Sequence, residues 1–160
     1  MSDYESQYES MVVQHQHIIY KVCYVYALND EELKDYFQEV LIALWNSYAN
    51  FRQDSKISTW IYRISLNTCI SYKRKNKRHE KTITLDTKLN LIDNSWEEKN
   101  DIRALHSLIE QLNPAEKSIL LLWLEKKSYE EIAEILTISK ENVGVRLSRI
   151  KSKLKRMSNK

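Results

Sequence analysis

The stretch SYEEIAEILTISKENVGVRLSRIKSKLKR, residues 128–156, gathers the residue types that grip a polyanion. At helical spacing it reads as a short helix, the turn TIS and a longer basic helix. Ile132, Ala133, Leu136, Ile138, Val143 and Leu147 fall on inward positions, and Ala133 is small where the second helix must approach the first. Ser139 is placed to cap the second helix, which turns Lys140, Glu141, Asn142, Val145, Arg146 and Arg149 outward. In a helix-turn-helix the N-terminal part of the second helix enters the major groove. There Arg pairs with guanine edges, while Lys can reach phosphates. A helical hairpin with a solvated basic face would carry the same pattern, so this segment alone leaves both readings open.

A second constellation lies upstream. Phe51, Arg52, Lys56, Trp60, Tyr62, Arg63 and Tyr72 interleave aromatic rings with cations. Unpaired bases need this mixture, because any base can stack while cations hold the backbone. The polar loop from Arg52 to Thr59 can also pocket a base that has left the duplex. Trp60 and Tyr62 could equally be core residues. The charge map adds weight. The net charge is only +3, yet residues 73–81 hold six of the 25 Lys and Arg, and residues 143–160 hold seven more with no acid. Residues 29–39 hold five acids against one Lys. Two basic patches and one acidic patch suggest two sites for a polyanion and a third surface for another partner.

Other chemistry finds no support. There is no nucleophile–base pair, phosphate-binding Gly loop or Cys/His cluster of metal-site spacing, so no enzyme, cofactor or metal is expected. His15 and His17 stand alone together. Cys23 and Cys69 lie in apolar-periodic segments and read as buried free thiols of a reducing cytosol. The polar start MSDYESQYES argues against a signal peptide, and no apolar run approaches the roughly 18 residues of a membrane span. A cytoplasmic protein without membrane insertion is expected.

One Gly and one Pro in 160 residues leave few sheet turns, so the fold class is all-α. A first helix covers residues 4–28, with Val12, His15, Ile18, Ile19, Val22, Val25 and Tyr26 as its apolar positions. Asn29 caps a second, with Glu32 at the capping-box position and Leu33, Phe37, Val40, Leu41, Leu44, Trp45 and Tyr48 at three- and four-residue spacing. Ser58 caps a third, with Trp60, Ile61, Ile64, Thr68 and Cys69 inward. Residues 82–100 show no clear helical period at their start. Ile102, Leu105, Leu108, Ile109 and Leu112 resume it. NPAE places Asn113 at an N-cap, Pro114 at N1 and Glu116 at N3, and SYEE does the same with Ser128 and Glu131. Helices 114–126, 129–136 and 140–156 follow. Two small helical domains result, 1–80 and 102–160, joined by a flexible linker over 81–101.

Taken together, the two constellations resemble a bacterial sigma factor of the extracytoplasmic-function (ECF) group of the sigma-70 family. DEELKDYFQEVLIALWNSYANFRQDSKISTWIYRISLNTCISYKRKNKR is similar to that family's D-x-x-D-L-x-Q-E-V-F, F-R-x-x-S-x-x-x-T-W-L-Y-x-I-A-x-N and basic-tail pattern. LNPAEKSILLLWLEKKSYEEIAEILTISKENVGVRLSRIKSKLK is similar to its L-P-x-x-x-R-x-x-x-L, Y-x-E-I-A and x-V-x-x-R-L-x-R-x-R-x-x-L pattern. The resemblance covers roughly residues 5–80 and 102–157.

It implies region 2 over 1–80 and a region 4 helix-turn-helix over 102–160. Asp35, Gln38, Glu39, Ile42 and Trp45 would dock on core RNA polymerase. Phe51, Arg52, Asp54, Ser55, Lys56, Thr59 and Trp60 would capture the melted minus-ten element, with Arg63, Asn67, Lys73 and Arg74 along it. Ser139, Lys140, Asn142, Gly144, Val145, Arg146 and Arg149 would read the minus-thirty-five element. Promoter DNA, duplex and melted, and core polymerase are the implied partners, and relatives are often held by an anti-sigma factor. Ala43 stands where the family often has Arg or Lys, and Thr137 where the turn often has Gly. Gly144 and Val145 replace a commonly cationic residue and a small polar one.

Gly144 is also the only glycine of the chain, although glycine weakens a helix interior by about 0.8–1.0 kcal/mol relative to alanine. On the DNA-facing side, its missing side chain would let the helix seat deeper and bring Val145 toward a thymine methyl. Drift at a solvent-facing site is the plain alternative. At the level of function, the alternatives are a dimeric helix-turn-helix regulator on palindromic half-sites and a helical adaptor that binds only protein.

Overall fold

The computed structural model describes residues 2–52, 54–75, 107 and 109–158. No strand occurs among them. The chain divides into two compact units, Met1–Leu91 and Ile92–Lys160. The expected linker, 81–101, and the expected apolar positions Ile102, Leu105 and Leu108 lie outside the described residues.

The first unit has three helices: α1 (Asp3–Tyr26), α2 (Asp30–Tyr48) and α3 (Ile57–Lys75). The Ser2 side chain accepts from the Glu5 amide and starts α1. Ala27 is extended and its amide closes α1 on the Cys23 carbonyl. The Asn29 side chain then accepts from the Glu32 amide at 2.8 Å, the expected cap. Glu32 answers one residue earlier than a capping box requires, accepting from the Leu28 amide. The α2 cap thereby also ties down the short connection from α1.

Each helix packs against the other two. Ile19, Val22, Cys23, Tyr26, Leu33, Tyr36, Val40, Leu44, Ile61, Leu66 and Cys69 are sealed between them. Burying a side chain of this size contributes about 1.5–3 kcal/mol, enough to set which face of each helix turns inward. Cys23 and Cys69 are free thiols with sulfurs 4.0 Å apart, and burial pushes the Cys69 thiol well up.

Several inward assignments shift. α3 begins at Ile57, so Ser58 lies within its first turn instead of capping it. Ile64 and Thr68 are half-buried, while Thr59, Tyr62, Ser65 and Leu66 are buried. The reason is that α3 meets both α1 and α2, which widens its covered face beyond a single stripe. On α1, Met11, Cys23 and Tyr24 are buried and Val12 and His15 half-buried. On α2, Tyr36 is buried, whereas Phe37, Leu41 and Tyr48 are half-buried and Trp45 is exposed.

The second unit holds α4 (Pro114–Leu124), α5 (Tyr129–Leu136) and α6 (Lys140–Ser158). Both expected capping boxes form, at Asn113/Glu116 and Ser128/Glu131. α4 ends two residues before the expected boundary, because Lys126 turns left-handed with φ 63°. α6 packs on both α4 and α5, and Ile132, Ile135, Val143, Leu147 and Ile150 are all buried. Leu136, expected inward, is half-buried, and Ile135 takes the inward place. Thr137 makes the turn at φ 58°, ψ 48°. That left-handed conformation is strained for a β-branched residue and suits glycine.

Candidate nucleic-acid and partner interfaces

On α2, Asp35, Gln38, Glu39, Ile42 and Trp45 all point to solvent. Their spacing of three and four residues brings them to one side of the helix. Ile42 is 54% exposed and Trp45 40%, unusual for large apolar side chains flanked by acids. An exposed apolar pair inside a polar rim suits a protein partner better than a phosphate backbone.

Trp45 is not loose on this face. Tyr4 and Tyr8 of α1 meet its ring edge-on at 5.2 and 5.0 Å. The Tyr8 hydroxyl donates to the Leu41 carbonyl at 2.6 Å, and burial raises the Tyr8 phenol. The two tyrosines therefore hold the tryptophan from α1. Reading motifs helix by helix missed them. Their own spacing of four residues in an acidic, otherwise polar segment was the available signal.

At the other end of α2, Tyr72 packs edge-on against Tyr36 at 4.8 Å. Its phenol is raised by burial and then by the carboxylates of Asp35, Glu39 and Glu32. The acidic side of α2 thus projects a negative field across to α3.

The expected loop over residues 52–59 is shorter than its reading, because α3 begins at Ile57, and the stretch from Phe51 to Trp60 is split between exposed and buried groups. Arg52, Asp54 and Lys56 are exposed, Phe51 and Ser55 half-buried, and Thr59 and Trp60 buried. The Phe51 ring lies 4.8 Å from that of Trp60 at an interplanar angle of 33°. Thr59 and Trp60 therefore shape the loop from beneath, and the polar and charged tips stand above. An open groove of about 470 Å³ runs beside the loop, with Gln7, Gln14 and His15 of α1 and Tyr48, Phe51 and Ile57 among its lining residues.

Along α3, Asn67 and Arg74 are exposed and Arg63 is half-buried. Positions 63, 67 and 74 share a helix face. Lys73 is drawn elsewhere: its ammonium lies 3.9 Å from the Glu32 carboxylate, with both side chains largely covered. The structure thus joins Lys73 to the start of α2.

In the second unit Ser139, Lys140, Asn142, Val145, Arg146 and Arg149 are exposed. The Ser139 hydroxyl accepts from the Asn142 amide, the expected cap. Lys140 pairs with Glu130 of α5, which raises the ammonium and lowers the carboxyl. Gly144 is half-buried, and a Cβ there would sit 3.5 Å from Cε2 of Tyr129. The glycine's side-chain direction thus points toward the Tyr129 ring of α5. Further along, Lys151 stands over the Trp123 ring at 4.2 Å and Lys153 reaches Glu116 at 3.2 Å. The basic helix divides into an N-terminal part with arginines outward and a later part tied to α4.

The region 2 model of the sigma-70 family ("Sigma-70 region 2") matches residues 11–79, and that of region 4 ("Sigma-70, region 4") matches residues 102–154. The chain is 30% identical over 162 residues to the ECF RNA polymerase sigma-E factor of Escherichia coli, covering 91% of this chain and 83% of that protein. It is 27% identical over 139 residues to the RNA polymerase sigma factor SigV of Bacillus subtilis, covering 86% and 82%. Among solved structures it is similar to the sigma factor RpoE of Bartonella quintana, in complex with the anti-sigma factor NepR. That likeness has a TM-score of 0.75 at 16% identity, over 96% of this chain and 97% of the other. CnrH, solved with the cytosolic domain of CnrY, matches with a TM-score of 0.70 at 17% identity, over 97% and 89%. With regions 2 and 4 matched in order on two separate helical units, and with relatives of that kind along most of their length, this chain belongs to the sigma-70 family as an ECF sigma factor.

Proposed function

We propose that this chain binds core RNA polymerase and carries it to promoters, using three surfaces for three tasks. The α2 stripe of Asp35, Gln38, Glu39, Ile42 and Trp45 docks on the polymerase. Residues 51–59, the loop and the first turn of α3, together with the Arg63, Asn67 and Arg74 side of that helix, hold the melted minus-ten strand. Lys73 supports that surface from its pair with Glu32. The outward residues at the start of α6 read duplex DNA at the minus-thirty-five element. The domain assignment is region 2 over residues 1–80 and region 4 over 102–160, with 81–101 between them.

The observation that carries this reading is the α2 stripe. An exposed isoleucine and tryptophan among acids repel DNA and invite a protein, on a chain whose other candidate surfaces are basic. That division favours a polymerase subunit over a dimeric helix-turn-helix regulator. The work is done by binding: unstacking a base costs a few kcal/mol, and stacking with pocket contacts offsets it. The polymerase supplies the catalytic step. No described helix is long and apolar enough to cross a membrane. A cytoplasmic site of action belongs to the same proposal, since core polymerase and promoter DNA lie there. Two solved relatives sit in complexes with NepR and CnrY, so an anti-sigma partner belongs to the same proposal.

Run-off transcription with core polymerase on genomic fragments tests it. Promoter-specific transcripts that need this chain are expected. No such transcript from any fragment would refute the proposal.

A further inference from the structure

The first turn of α5 touches α6 at two points. Tyr129 lies against Gly144, and the Glu130 carboxylate pairs with the Lys140 ammonium. Lys140 is the first residue of α6, the position nearest a groove if that helix reads duplex DNA. The pair is exposed, with 56% and 65% of the two side chains open, so both groups can also face DNA. Glu130, on α5, is thus a carboxylate beside the start of the helix whose outward arginines, Arg146 and Arg149, follow within three turns, with Glu141 the next residue after Lys140. It is not the cap of its helix, a task that Ser128 and Glu131 already perform.

We infer that Glu130 is a positioning residue for DNA binding: it holds the Lys140 ammonium and so weakens phosphate-driven binding of this chain to duplex of any sequence. The inference rests on α6 being the duplex reader. Non-specific binding is driven by counterion release as Lys and Arg neutralise phosphates. A lysine that must first leave a carboxylate gives up part of that gain. The carboxylate left behind then faces the phosphates with its own charge. The effect is modest, because exposed pairs are weak, and it corresponds to about two- to fivefold in affinity. It would fall on sliding and stray binding, which involve phosphates alone. Base contacts by Arg146 and Arg149 do not pass through Glu130.

The test is fluorescence anisotropy of the full chain with a short duplex of mixed sequence across a salt series. Glu130→Gln should tighten binding about two- to fivefold and steepen the log–log salt slope by up to about one. Lys140→Gln should weaken binding. In the Lys140→Gln background, Glu130→Gln should have a clearly smaller effect than in the parent chain. Circular dichroism of each variant should match the parent, since both positions are exposed. An unchanged affinity in Glu130→Gln overturns the inference. So does an equal gain with and without Lys140, which would mean a charge acting at a distance. Arg146→Gln with Arg149→Gln separates the two layers of argument. If that variant binds duplex normally, α6 is not the reader and the inference falls with it. If it binds weakly while the Glu130 result fails, only the inference falls.

Discussion

The outward face of α2 and the outward face of α6 are both helical stripes, yet their chemistry is opposite, and the proposed function gives them opposite partners. α2 exposes Ile42 and Trp45 among Asp35, Gln38 and Glu39, and two tyrosines from α1 hold the tryptophan in place. α6 exposes Arg146, Arg149 and Lys140 around Val145 and a glycine. A protein partner rewards a rigid, desolvated anchor inside a polar rim. Duplex DNA rewards cations and small residues that let the helix come close. If the proposed roles hold, each surface should be breakable alone.

The largest expected effect comes from removing the support of one face. Leu147→Ala opens a cavity at a fully buried position of α6 and should cost the second unit about 2–5 kcal/mol. In urea melts followed by circular dichroism, the first unit's transition should stay in place. Duplex binding should fail while polymerase binding survives.

Next comes the opposite break. Ile42→Asp or Trp45→Ala should weaken binding to core polymerase by about 2 kcal/mol, or roughly 30-fold, as loss of an interface anchor does. Titration of labelled chain with core enzyme reads this directly. Duplex affinity of the free chain should not move. A parallel loss on DNA would show that the two faces are not independent.

A smaller effect sharpens the turn. Thr137 occupies a left-handed conformation that a β-branched residue enters at a cost. Thr137→Gly should stabilise the second unit by about 1 kcal/mol, seen as a raised urea midpoint with unchanged slope.

Gly144→Ala is the finest test. The added methyl would meet Tyr129 at an ordinary contact distance of 3.5 Å, so it should be accepted. Stability should rise by up to about 1 kcal/mol. If promoter binding is unchanged, the glycine is drift; if it weakens, close approach to DNA is why glycine sits there.

Much of the fold was legible because it is local. Asn29, Asn113, Ser128 and Ser139 cap their helices as expected, since a cap depends on three or four consecutive residues. The basic outward positions of α6 were legible for the same reason: a helix places residues three and four apart on one side. On α2 periodicity counted Trp45 with the apolar positions, and only the family resemblance pointed to the stripe of Asp35, Gln38, Glu39, Ile42 and Trp45 that the structure leaves exposed. The inward face of α3 was not. Its width depends on two neighbours far away in sequence, and a single period cannot show that. Lys73 illustrates the same limit, because nothing near it in sequence announces Glu32 across the bundle. The family resemblance made Thr59 and Trp60 base contacts, while the residue pattern left Trp60 equally readable as core; both are buried, and the Phe51 and Tyr48 rings lie against Trp60.

By itself, the sequence determined the helical class, the positions of the caps, the two basic clusters and the acidic one. Those follow from backbone hydrogen bonding and helical periodicity, which act within a few residues. The tertiary structure alone decided which charges remain available and which side chains are covered. It ties Lys73 to Glu32 and Lys140 to Glu130, stands Tyr4 and Tyr8 against Trp45, and lays Tyr129 over Gly144. These are contacts between helices, set by how packed cores orient them, and no spacing along one helix encodes its neighbour.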